Sequence, residues 1–116
     1  MADIRGRGET IKVEAGKTLV NEGDAPNFIY LVKKGELFVN LGDAKLGTIK
    51  EGDILGEISF LLKKNRTATV VAETDCELLK VESAAFDEIL GEQPSWAREF
   101  ITVIAKRIDE TNQRIV

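Results

Sequence analysis

The chain has 116 residues, 43% of them hydrophobic, and a formal net charge of −4. That length and apolar share fit one folded domain with a real core and exclude a disordered chain, while the acidic balance argues against nucleic acid as a partner. The absence of histidine and the single cysteine, Cys76, exclude histidine-held metal enzymes, Ser-His and Cys-His nucleophile pairs, and any internal disulfide.

Residues 1–8 contain Gly6 and Gly8 and little apolar content, and are expected to be a flexible lead-in. From residue 9 to 82, glycines recur at 16, 23, 35, 42, 47, 52 and 56 between short apolar runs. Turn signals at that spacing predict an all-β sandwich or barrel. Leu37, Val39 and Leu41 alternate with Phe38 and Asn40, the period of a strand with one buried face.

The stretch 55–69 is the most informative. Gly56 allows a sharp bend and close approach to a ligand. Ile58 to Leu62 read as one or two helical turns, whose first N–H groups lack internal partners and suit a phosphate. Arg66 can add a planar fork of donors to that phosphate, whereas an ionised Glu57 accepts only and suits a hydroxyl. A ribose carrying a cyclic phosphate fits that pair of demands. Lys63 and Lys64 read as solvated loop lysines. Thr67, Thr69 and Val71 alternate with Arg66, Ala68 and Val70. If Arg66 points inward, Ala68 and Val70 follow it, and Val70 is either a wall for a purine or a plain core valine. Arg66 needs a partner in such an apolar strand; a structural salt bridge with Glu57, in a pocket without ligand, is the competing possibility. Cys76 reads as a small buried hydrophobe.

At Ser83 the period changes. Ser83 is placed as the N-cap of a short helix over Ala84 to Leu90 that ends near Gly91. Pro94 suits the first turn of a second helix, reaching about Arg114. Ile101, Ile104, Ile108, Thr111 and Ile115 are spaced three, four, three, four, an a/d seam. Trp96, Phe100 and Val103 are available to pack on the body of the domain. The seam outruns that body, so a homodimer through this helix is expected.

The cassette resembles that of the cyclic nucleotide-binding domain family. The resemblance rests on Leu55-Gly56-Glu57 and Arg66-Thr67-Ala68-Thr69, with the upstream Glu22-Gly23-Asp24 turn, the strand Phe28 to Gly35, and Gly52-Asp53. Leu55 stands where phenylalanine is common, and the helix that usually precedes the barrel looks missing or very short. The resemblance implies one domain: an antiparallel jelly-roll β-barrel (a double-stranded β-helix) over 9–82, then a short and a long helix over 83–116. It implies that Glu57 binds the ribose 2′-hydroxyl and Arg66 the cyclic phosphate. Gly56, Ile58, Ser59, Thr67 and Ala68 complete the cradle, and Val70 is the possible base wall. The ligand is cAMP first and cGMP second, since Thr67 suits either. The long helix, through Arg107-Ile108 and Thr111-Asn112, is similar to the dimerising helix of bacterial activators of the catabolite-activator type.

Neither a membrane-length apolar run nor a signal-peptide pattern is present, so a cytoplasmic protein is expected. No carboxylate pair stands out as an acid/base dyad, so neither an enzyme nor a metal or other cofactor is expected. The expected function is reversible binding of a cyclic nucleotide, transmitted through the C-terminal helix; the alternative is a degenerate jelly roll serving only as a dimerisation module.

Overall fold

A computed structural model of the chain describes residues 8–112. Arg114, Ile115 and all of the expected lead-in except Gly8 lie outside that range. The strands are β1 (Gly8–Val13), β2 (Thr18–Val20), β3 (Phe28–Lys34), β4 (Leu37–Leu41), β5 (Ala44–Ile49) and β6 (Ile54–Leu55). A five-residue helix, α1 (Glu57–Leu61), precedes β7 (Thr69–Ala72) and β8 (Cys76–Glu82), and α2 (Ser83–Gly91) and α3 (Ser95–Asn112) close the described chain.

The strands form two four-stranded sheets, ordered β1-β8-β3-β6 and β2-β7-β4-β5, with antiparallel pairing throughout. The fold is therefore mainly antiparallel β with C-terminal helices, compatible with the expected jelly roll. The two sheets stay open rather than closing into one barrel. Each strand turns one row of side chains inward, because successive residues point to opposite faces. Tyr30, Val32, Leu55 and Leu78 from one sheet meet Val20, Leu37, Val39, Ile49 and Val70 from the other, all at most 5% exposed. Leu41 departs from the expected alternation at 46% exposed. The pairing of β4 with β7 ends at Asn40, so the tip of β4 overruns its neighbour.

Ile29 and Val81 are also buried. Their registers place them on the opposite face of the first sheet, where α1 lies against β3 and α2 against β8. The Phe60 and Phe86 rings meet there, centroids 6.3 Å apart.

Ser83 is not the N-cap of α2. The cap position is Glu82, in extended conformation and without a side-chain cap. The Ser83 hydroxyl instead donates to the Pro26 carbonyl at 2.6 Å, and the Ser83 N–H donates to Asn27 at 2.8 Å. A nearer carbonyl from the β2–β3 connection has won the hydroxyl, and α2 is tied to that loop. Pro94 stands one residue ahead of α3, its carbonyl receiving Ala97 N–H at 3.0 Å. Along α3, Ala97 and Ile101 are half-buried and Ala105 is 2% exposed, a face repeating every four residues and packed near α1. Trp96, Phe100 and Val103 do not pack on the domain; they are 70, 64 and 51% exposed. They lie around the helix from the buried face, where the sheets offer no surface.

Candidate functional site

The site begins with a glycine that no other residue could replace without displacement. Gly56 follows β6 at the N-cap position of α1 with φ 99°, the left-handed region that favours glycine. A Cβ there would stand 2.8 Å and 3.0 Å from the two Nη atoms of Arg66, and 3.0 Å from the Phe28 carbonyl oxygen. The bare backbone lets the guanidinium lie against the turn into α1. Arg66 Nη1 donates to the Gly56 carbonyl at 2.9 Å, and Nη2 donates to the Phe28 carbonyl.

The main chain of Arg66 is fixed from the other side. Its N–H donates to Asp24 O at 2.8 Å, and its carbonyl accepts from Gly23 N at 2.7 Å. The Asp24 carboxylate caps the same turn by accepting from Asn21 N at 2.9 Å. The arginine is thus held at both ends in an apolar setting, 3% exposed. Its Nε is buried without a hydrogen-bond partner, as is Ser59 Oγ. Native structures seldom leave such groups unsatisfied, and Arg66 lines a hollow, so its Nε is a donor suited to an incoming acceptor.

Burial pulls the Arg66 pKa down, while Tyr30, Asp24 and Glu57, in that order of effect, pull it up. A guanidinium remains charged regardless. Burial pushes the Tyr30 phenol up, with Arg66 opposing and Asp24 assisting. Burial likewise pushes the Cys76 thiol up, as expected of an inert structural cysteine. Both groups hold their protons more tightly when folded. The stability they lend is complete below their ordinary values, 10.0 and 9.0, and is lost as pH climbs past those values. Thermal melts from about pH 8 to 11 should show falling stability above about pH 9, with a shallower fall in Tyr30→Phe.

Beside Arg66 lies a hollow of about 320 Å³, lined among others by Asp24, Asn27, Phe28, Tyr30 and Lys80. A larger hollow of about 500 Å³, between the cassette and α2, is not lined by Arg66. We place the chemistry in the smaller one, because the buried cation is there. Gly56, Glu57 and Arg66 are brought together: the first by contact, the second by its field on the guanidinium. Ile58 and Ala68 are buried at 5% and 2% exposed, and Thr67 is half-buried. Val70, 0% exposed, sits in the core between the sheets. Lys63 is exposed and Lys64 half-buried.

Sequence reasoning missed Tyr30, Asn27 and Lys80 as lining residues. A signal existed for Tyr30, because the alternation of Phe28, Tyr30 and Val32 puts them on one face. Lys80 was visible as a charge within Leu78-Leu79-Lys80-Val81.

Residues 10–93 match the family of the cyclic nucleotide-binding domain. The chain is 36% identical over 85 residues to a cAMP-dependent protein kinase regulatory subunit of Colletotrichum orbiculare, covering 72% of this chain and 22% of that protein. It is 32% identical over 101 residues to the human potassium/sodium hyperpolarization-activated cyclic nucleotide-gated channel 1, covering 87% of this chain and 11% of the channel. Among solved structures, the EAL enzyme Bd1971 in its cAMP-bound form superposes with a TM-score of 0.79 at 26% identity, over 90% of this chain and 29% of that one. The chain thus spans a minor part of these relatives, and on the strength of the matched residues and the fold it belongs to the cyclic nucleotide-binding domain family.

Proposed function

We propose that this chain is a regulatory domain that reversibly binds a cyclic nucleotide, cAMP in the first place and cGMP in the second. Arg66 receives the cyclic phosphate, Glu57 the ribose 2′-hydroxyl, and the backbone around Gly56, Ile58, Ser59, Thr67 and Ala68 completes the cradle. The observation that carries this reading is the buried guanidinium with both Nη groups on carbonyls and Nε left without a partner. A buried N–H donor without an acceptor is costly, and a cyclic phosphate would supply that acceptor. Bd1971 has been solved with cAMP and with cGMP, which supports the ligand class and leaves both nucleotides in play.

Thermal shift with each nucleotide tests the reading. A ligand at a hundred times its Kd stabilises by about 2.7 kcal/mol, on the order of 10 °C for a domain of this size. The tighter nucleotide should give the larger shift at equal concentration. No shift with either would overturn the proposal.

Binding is transmitted by population shift, the ligand drawing the cassette and the C-terminal helices together. Contact between α1 and α3 supports that route. A second reading, self-association, is favoured by α3 itself. Ile104 and Ile108 are 46 and 41% exposed, and they extend an apolar stripe that also includes Trp96, Phe100 and Val103. Ile101 is half-buried, so a homodimer would rest mainly on the outer positions. Sedimentation of Ile104→Glu/Ile108→Glu should show a monomer where the parent chain is a dimer; a monomeric parent would remove this reading.

A further inference from the structure

We propose that Lys80 is a further ligand-contacting residue, supplying the second positive charge to the anion that Arg66 receives. The inference rests on the reading of Arg66 given above. Lys80 lies on β8 two residues beyond Leu78, and its register partner across β3 is Tyr30. Leu78 and Tyr30 both face the core, so Lys80 enters the roll rather than leaving it. It lines the same hollow of about 320 Å³ as Arg66. Its Nζ stands 4.0 Å from the centroid of the Phe28 ring, an aromatic face that attracts the ammonium and holds it over the hollow.

The charge balance explains why a second cation belongs there. Two carboxylates, Asp24 and Glu57, act on Arg66. Arg66 with those two alone makes a neighbourhood of net negative sign, which would repel a phosphodiester. Lys80 adds a second positive charge at the hollow, while its register partner on β1, Glu9, is exposed and does not line it, so the bound monoanion is faced by two cations. The other surface groups of the hollow, Leu19, Val20, Ala25, Asn27, Phe28 and Tyr30, carry no charge when Tyr30 is protonated. Arg66 has two of its five N–H donors committed to backbone carbonyls, and Lys80 adds three rotatable donors.

The test is calorimetric titration of the parent chain, Lys80→Met and Lys80→Arg with cAMP at two salt concentrations. Methionine keeps the stem against Phe28 and removes only the charge. Lys80→Met should bind about tenfold more weakly, with a shallower dependence on salt. Lys80→Arg should stay within about twofold of the parent, since it keeps the charge and a guanidinium is also attracted to the Phe28 ring. If Lys80→Met binds as tightly as the parent with the same salt dependence, Lys80 is structural and the inference fails while the Arg66 site stands. If both variants weaken binding equally, geometry rather than charge is responsible, and the inference also fails. If the parent itself binds no cyclic nucleotide, the underlying reading falls, and the inference with it.

Discussion

Arg66→Ala should weaken cyclic nucleotide binding by well over tenfold and leave the domain folded. The loss follows from the chemistry of the contact. Charge-assisted hydrogen bonds contribute about 1.5–3 kcal/mol each, and tenfold in affinity is about 1.4 kcal/mol. Survival of the fold follows from the main chain. Residue 66 is anchored through its own N–H to Asp24 and its own carbonyl to Gly23, at 2.8 and 2.7 Å, and alanine keeps both bonds. The truncation orphans the carbonyls of Gly56 and Phe28, at a cost of about 1–3 kcal/mol for each that water cannot reach. Removing a buried charge returns part of that. A domain stability of about 5–15 kcal/mol absorbs the difference.

Two companion variants separate charge from geometry. Arg66→Lys keeps the charge but not the planar fork, so it cannot hold two carbonyls and an anion together; binding should fall nearly as far as in alanine. Gly56→Ala keeps the arginine but places a methyl group 2.8 Å from its Nη1. The guanidinium must then move off the turn, and affinity should drop although no ligand-binding side chain has been removed. Titration of all three by calorimetry checks the set, and undiminished binding by Arg66→Ala removes Arg66 from the site.

The sheet layout was legible because turns carry their own chemistry. Glycines 16, 23, 35, 42, 52 and 56 all adopt positive φ, a conformation that leaves glycine nearly alone among residues. Gly47 is the exception; it sits inside β5 opposite Val39, and nothing local distinguishes a strand glycine from a turn glycine. The inward row Arg66, Ala68, Val70 was legible from alternation, and all three are buried. What alternation could not provide is where a long side chain ends. The two carbonyls that receive Arg66 belong to residues 10 and 38 positions away, and backbone acceptors leave no mark on sequence. Ser83 shows the same limit: its hydroxyl suits a cap, and the choice went to a carbonyl 57 residues distant. The seam on α3 was visible as spacing, but which of its residues face the domain depends on how α3 crosses α1. Ile101 turned inward and Ile104 outward for that reason.

The largest loss of stability should come from Gly35→Ala, at a position outside the 55–69 stretch. Gly35 joins β3 to β4 with φ 94°. A Cβ there would stand 2.5 Å from the Asp75 carbonyl oxygen, 2.8 Å from Cys76 Sγ and 3.0 Å from Cys76 Cα. Two of those three atoms are backbone and cannot rotate away. Nor can the facing turns separate cheaply. Glu36 O accepts from Glu73 N at 2.9 Å, and Glu36 N donates to Thr74 Oγ1 at 3.1 Å. Asp75 in turn holds Ala15 N through its carboxylate at 2.9 Å. Relief of the clash would break bonds that tie β4 to the entry of β8 and β1 to both. Gly52→Ala is the control, because Gly52 has nearly the same φ, 91°, and nothing within 4 Å of its Cβ position. It should lose only the left-handed penalty, about 1–2 kcal/mol. Gly35→Ala adds overpacking, typically about 1–3 kcal/mol, so its loss should be about twice that of the control or more. Urea unfolding of the two variants beside the parent measures both terms. Equal losses would mean that the β3–β4 turn yields freely, and that the bonds between Glu36 and the 73–75 turn do not set its position.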